Sequence, residues 1–136
     1  MDRDLRKQKA VIVLPTYNEK ANISRMLDAI LNETKKNKSV QTHILVVDDS
    51  SPDGTANIVK NHPQYNATIH LLAGGKKQGL GVAYIRGFSH ALKNMHADIV
   101  VEMDADFSHD PKDLPRLFAQ IQSGKDFVIG SRYITG

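Results

Sequence analysis

The sequence predicts an α/β fold with a largely parallel central sheet. Three observations carry that expectation. Short β-branched runs alternate with helical periods along the chain. The first run, residues 10–14, is apolar without a break, as a strand covered on both faces should be. Polar clusters follow the runs, which in an open α/β sheet places them together outside the carboxyl ends of the strands.

Taken in order, residues 10–14 form the first strand and Pro15-Thr-Tyr-Asn-Glu19 breaks it. Ile23, Met26, Leu27, Ile30 and Leu31 then keep the spacing of an amphipathic helix, with Lys35, Lys36 and Lys38 at its carboxyl end, where the helix dipole favours cations. Residues 44–47 are a second strand ending in Asp48-Asp49-Ser50-Ser51-Pro52-Asp53-Gly54; a short helix follows with Ser51 or Asp53 as N-cap, closed by His62-Pro63. Residues 68–72 are a third strand. After Ala73-Gly-Gly-Lys-Lys-Gln-Gly-Leu-Gly81 comes a helix whose expected buried face is Ile85, Phe88, Leu92 and Met95. Residues 99–103 are a fourth strand, and Asp110-Pro111 opens a helix with Leu114, Leu117, Phe118 and Ile121 inward and Gly124 at its end. Residues 127–129 are expected as a fifth strand. Residues 1–9 read as a basic N-terminal extension and 10–136 as one domain.

Composition narrows the function classes. The chain has 136 residues, enough for a real core, with 40% hydrophobic and 24% charged residues. No run approaches the roughly 20 apolar residues of a membrane span, and the charged start does not read as a signal peptide. With zero cysteines, disulfides, thiol catalysis and thiolate metal sites are excluded. The net charge of +3 is local, in Arg3, Arg6, Lys7 and Lys9, in the lysines after the first helix, and in Lys76 and Lys77. Without a continuous basic face interleaved with aromatics, nucleic-acid binding is a weak reading. Attraction of the basic N-terminus to an anionic membrane surface stays open.

The chemistry centres on Asp104-Ala-Asp106. In extended chain, side chains at i and i+2 point the same way, so both carboxylates aim at one spot. A hard divalent ion, held by one or two carboxylates and substrate phosphates, would relieve their repulsion. Taken alone, the pair serves equally well as a solvated turn before the next helix. Each neighbouring cluster has a plain reading too. Asp48 and Asp49 suit a turn. Lys76 and Lys77 suit a solvated loop, and Tyr84 and Arg86 suit a helix surface or packing. His109 reads as a helix-cap neighbour. Gly79-Leu-Gly81 lacks the third glycine of a dinucleotide fingerprint, Tyr84 standing in its place, and no Walker loop is present.

Read together, the motifs are more specific. Val13-Leu-Pro-Thr-Tyr-Asn-Glu19, Val46-Val-Asp-Asp-Ser-Ser-Pro-Asp-Gly-Thr55, Gly79-Leu-Gly-Val-Ala-Tyr84 with Arg86-Gly87, Met103-Asp-Ala-Asp-Phe-Ser-His109 and Gly130-Ser-Arg-Tyr133 occur in that order. The set resembles the dolichyl- or polyprenyl-phosphate mannosyltransferases of glycosyltransferase family 2. The resemblance implies a GT-A (Rossmann-like) three-layer sandwich with a mostly parallel sheet. It implies donor contacts from Pro15, Tyr17, Glu19, Val47, Asp49, Asp104, Ala105, Asp106 and Arg132, with Asp104, Asp106 and Arg132 in catalysis. Mg²⁺ or Mn²⁺ would sit on Asp104 and Asp106, with Ser108 as a weaker candidate. The implied reaction moves mannose from GDP-mannose to a dolichyl or polyprenyl phosphate with inversion, at the cytosolic membrane face. Rival readings are a polyprenyl-phosphate glycosyltransferase using a UDP-sugar and a non-catalytic nucleotide-binding domain. Family members continue beyond the Gly-Ser-Arg-Tyr strand into an acceptor-binding part, so the resemblance implies a truncated domain that binds donor and metal yet turns over poorly or not at all.

Overall fold

A computed structural model describes residues 7–75 and 77–131. β1 (Gln8–Thr16), β2 (Val40–Asp48), β3 (Ile69–Ala73) and β4 (Ile99–Glu102) form one parallel sheet in the order β3-β2-β1-β4. α1 (Ile23–Thr34), α2 (Thr55–Lys60), α3 (Leu80–Asn94) and α4 (Leu114–Gln122) cover it. Ala10, Ile12, Leu14, Ile44 and Val46 pack against Ile23, Met26, Leu27 and Ile30 of α1 and Leu114 and Phe118 of α4. Val11, Val13, Leu45 and Val47 face the other way, against Ala83, Tyr84 and Ala91 of α3 and against Met95. Three layers result, and the unbroken apolar run of β1 follows from burial on both faces.

Local signals placed most elements. α1 buries the expected residues, with Leu31 half-buried. Asp110 caps the turn Pro111–Asp113 that leads into α4, its carboxylate accepting the Lys112 N–H at 3.0 Å. β1 begins earlier than expected, because Lys9 donates its N–H to Asp98 and accepts one back from Asp98. Gln8 and Lys9 therefore belong to the sheet, while Arg3 and Arg6 lie outside the described residues.

Three expectations need correction. α2 is capped by Gly54, at φ 92°, rather than by Ser51 or Asp53; Asp53 still accepts the Thr55 N–H at 3.0 Å. Residues 127–129 form no strand: Phe127 is 81% and Ile129 73% exposed, and so short a run offers too few ladder bonds to offset its ordering. α3 turns a different face inward. Ala83, Tyr84, Gly87 and Ala91 meet the sheet with Met95 and half-buried Phe88, while Ile85 and Leu92 are exposed at 69% and 54%. Close approach decided this face, since a Cβ on Gly87 would lie 2.2 Å from Val13 Cγ1.

At the amino end of the α3-facing side, the His43 and His70 rings stack 5.2 Å apart with Nδ1 and Nε2 at 3.0 Å, a bond that needs at least one neutral ring. Burial, then the Lys9 charge, then His70 itself push His43 down to about 4 from the ordinary 6.5. Burial, Lys9 and His90 lower His70 as well. The unfolded chain takes up the proton first, so stability should fall as pH drops from 6.5 towards about 4. Denaturant unfolding across that window should show the loss, and His43→Gln should flatten it.

Candidate active site

The strand order places a topological switch point between β1 and β4, because β2 and β3 build outward from β1 on one side and β4 joins on the other. Ligands of open α/β sheets bind in the crevice at such a point. Pro15 helps to open it. The β1–β4 ladder ends with the Met103 N–H donating to the Val13 carbonyl at 3.2 Å. The next bond of a parallel ladder would come from the residue-15 N–H, which proline lacks. Beyond it the chains diverge, one into Tyr17-Asn18-Glu19 and the other into Asp104-Ala105-Asp106.

The loops after β1 and β2 are fastened to each other. Asp48, fully buried, accepts the Thr16 hydroxyl at 2.7 Å, the Ser51 hydroxyl at 2.6 Å and the Ser51 N–H at 3.0 Å. Ser51 accepts the Asn18 N–H at 2.9 Å, Thr55 the Glu19 N–H at 3.1 Å, and Asp53 the Lys20 N–H at 3.0 Å. Asn18 and Ser50 both sit at φ 56°, a conformation these anchored turns sustain. The loop after β3 joins them: Ser50 donates to the Gly75 carbonyl at 2.6 Å, and the Lys77 ammonium lies 4.2 Å from the Tyr17 ring centroid. Pro15 and Val47 are buried side by side in register, so they shape the floor, while Tyr17 is exposed and Glu19 half-buried.

Asp48 and its neighbour do different jobs. Asp49 is buried and pairs with the half-exposed Arg86 of α3, whose Nη1 donates to Oδ1 at 3.0 Å. A buried carboxylate needs such a partner, so Arg86 is neither free surface nor simple packing.

β4 stops at Glu102, so Asp104 and Asp106 lie in a turn rather than at the end of an extended strand. Burial still alternates: Met103 and Ala105 are inward, Asp104 is half-buried and Asp106 exposed. The Tyr84 hydroxyl donates to Asp104 Oδ1 at 2.6 Å. Burial first, and then this bond to a carboxylate, push the phenol far above its ordinary value, so it stays a donor. The Asp104 N–H donates to His109 Nδ1 at 2.9 Å, so that ring nitrogen is the acceptor in this contact. Ser108 serves Asp106: its hydroxyl and its N–H, the latter 3.0 Å from Oδ1, hold Asp106 below the usual carboxylate range. Phe107, at φ 65°, carries the Arg25 guanidinium 5.3 Å from its ring centroid, tying the turn to α1.

Among the described residues no group of three or more His, Asp and Glu could cage a metal. Asp104 and Asp106 instead suit a Mg²⁺- or Mn²⁺-type site, in which one or two carboxylates act with substrate phosphates and water. Ser131 is the last described residue at that end, so Arg132 lies outside, as does Lys76. The shallow grooves bounded by Asp28, His62 and Pro63 lie away from these acidic loops and hold none of their residues. Sequence reading missed Tyr84, Arg86 and His109 as partners of the acidic residues, although all three stand within quoted motifs.

Residues 11–136 match the Glycosyl transferase family 2 model. The chain belongs to glycosyltransferase family 2. It is 38% identical over 130 residues to the polyprenol monophosphomannose synthase of Mycolicibacterium smegmatis, covering 95% of this chain and 47% of that protein. It is 39% identical over 132 residues to the undecaprenyl-phosphate mannosyltransferase of Micrococcus luteus, covering 94% and 50%. The dolichol-phosphate mannosyltransferase of Pyrococcus furiosus is 36% identical over 132 residues, covering 94% and 34%. The chain thus spans about half the length, or less, of the curated relatives it matches. Among solved structures, a mannosyltransferase from Pyrobaculum calidifontis in complex with GDP-mannose and Mn²⁺ superposes with a TM-score of 0.55 at 29% identity, over 74% of this chain and 28% of that one. S. aureus TarS residues 1–349 superpose at 0.65 and 23% identity, over 85% and 33%, which shows the shared fold. With such neighbours the family 2 chain has the GT-A architecture.

Proposed function

We propose that this family 2 chain is the donor- and metal-binding part of an inverting mannosyltransferase that uses GDP-mannose and a dolichyl or polyprenyl phosphate. The observation that carries the reading is that Asp49 and Asp104, on the loops after β2 and β4, are both bonded to α3, through Arg86 and Tyr84, while the loop after β1 is bonded to the loop after β2. Three mannosyltransferases named for polyprenyl-type phosphate acceptors support the substrate class. The GDP-mannose and Mn²⁺ complex of the Pyrobaculum neighbour supports the donor and the metal.

In this reading Pro15 and Val47 floor the nucleotide pocket, Tyr17, Glu19 and Asp49 orient the nucleotide, and Ala105 brings backbone close to it. Asp104 and Asp106 hold Mg²⁺ or Mn²⁺, and Ser108 acts through Asp106. When bound, the metal supplies Lewis-acid stabilisation of charge developing on the departing diphosphate. Arg132, outside the described residues, would by its motif supply a guanidinium able to grip the same phosphates bidentately. The acceptor phosphate oxygen is already ionised at neutral pH, so attack on the anomeric carbon needs no strong general base. The lipid acceptor would bring the protein to the cytosolic membrane face. Among the described residues no helix is long and apolar enough to cross a membrane.

Calorimetry of GDP-mannose with this chain, with and without Mn²⁺, tests the reading. Binding should be metal-dependent, and Asp106→Ala should weaken it at least about tenfold, as expected when a carboxylate ligand is removed. Absence of metal-dependent binding would sink the proposal; preference for UDP-glucose would move it to a UDP-sugar enzyme.

A further inference from the structure

We propose that Tyr84 is a positioning residue for Asp104, making α3 the element that aims the acidic turn. The inference rests on the reading of Asp104 and Asp106 as the metal-holding pair. Tyr84 reaches across from the sheet-facing side of α3, is 5% exposed, and donates to Asp104 Oδ1 at 2.6 Å. Asp104 is otherwise half-exposed, and a carboxylate in that position turns freely about its last torsion. The Tyr84 bond to Oδ1 fixes that torsion, and the His109 bond to the backbone N–H fixes the residue's main chain, so the carboxylate is held in one orientation with Oδ2 free of that bond.

Among the described residues, Asp106 is held from within its own turn rather than from α3. It is exposed, and Ser108, two residues on, is the partner that holds its Oδ1. The turn therefore presents one aimed carboxylate and one that adjusts with its own loop. Hydrogen-bond partners of metal-ligating groups fix ligand orientation, and their removal typically weakens metal binding about 10- to 100-fold. A purely structural role for the phenol would need only some acceptor, and would leave metal binding untouched.

The experiment measures free Mn²⁺ by electron paramagnetic resonance during titration of the chain with GDP-mannose present, alongside thermal unfolding without metal. Tyr84→Phe keeps the ring and removes the donor; Tyr84→Met serves should the Phe variant fail to fold. The expected result is Mn²⁺ binding weakened about tenfold with unfolding little changed. In an Asp104→Asn background, Tyr84→Phe should add little further weakening. Wild-type Mn²⁺ affinity in a folded Tyr84 variant overturns the proposal. If the wild-type chain itself takes up no Mn²⁺ with GDP-mannose, the functional reading fails and takes this one with it, a result distinct from loss of the Tyr84 effect alone.

Discussion

Replacing Gly87 with alanine should destabilise the domain by about 3 kcal/mol, although alanine is the better helix former. The added Cβ would stand 2.2 Å from Val13 Cγ1 and 3.0 Å from Val47 Cγ2. Both valines are fully buried in the central strands β1 and β2, so neither has room to move aside. α3 must lift instead, and lifting it separates Ala83 and Ala91 from the sheet as well. Gly81, in the same helix, is the control: a Cβ there meets nothing within 4 Å. Gly81→Ala should be neutral or stabilising by up to about 1 kcal/mol. Denaturant unfolding of the two variants checks this, and equal stability would mean that α3 is not seated by close contact. The effect reaches the site, because α3 carries Tyr84 to Asp104 and Arg86 to Asp49.

That helix also shows where the sequence was opaque. The strands at 10–14 and 44–47, the stripe from Ile23 to Leu31 and the Asp110-Pro111 cap could all be read, because each is written in neighbouring residues. The face of α3 is set by Gly87 against Val13, far away in the chain, so large apolar residues at Ile85 and Leu92 pointed to the wrong side. The same limit applied to roles at the rim. Tyr84 and Arg86 looked like surface or packing residues until the fold placed Asp104 and Asp49 within reach. Residues 127–129 had strand composition, but composition does not supply a pairing partner. The acidic turn was legible as chemistry, while its partners Tyr84 and His109 were legible only in three dimensions.

Asp48 and Asp49, adjacent and identical, should respond very differently to truncation. Asp48→Ala should lower stability by about 3 kcal/mol. It removes the acceptor of the Thr16 hydroxyl, the Ser51 hydroxyl and the Ser51 N–H, and leaves Thr16, 4% exposed, without that partner. Hydrogen bonds to a charged acceptor contribute roughly 1.5–3 kcal/mol each, but they share one carboxylate and are not additive. Asp48→Asn keeps the shape and one carbonyl oxygen, so its cost should be nearer about 1 kcal/mol. The loss should propagate along the rim, since Ser51 also anchors the Asn18 N–H and the Asp48 carbonyl accepts the Gly74 N–H at 3.2 Å. Asp49, by contrast, is joined to the framework through Arg86, at the mouth of the proposed nucleotide pocket. Unfolding measurements on the Asp48 variants, paired with GDP-mannose titration of Asp49→Asn, should therefore separate a residue that builds the site from one proposed to contact the nucleotide. If Asp48→Ala were as stable as wild type, the backbone contacts alone would hold the loops, and the carboxylate would be free for a role in binding.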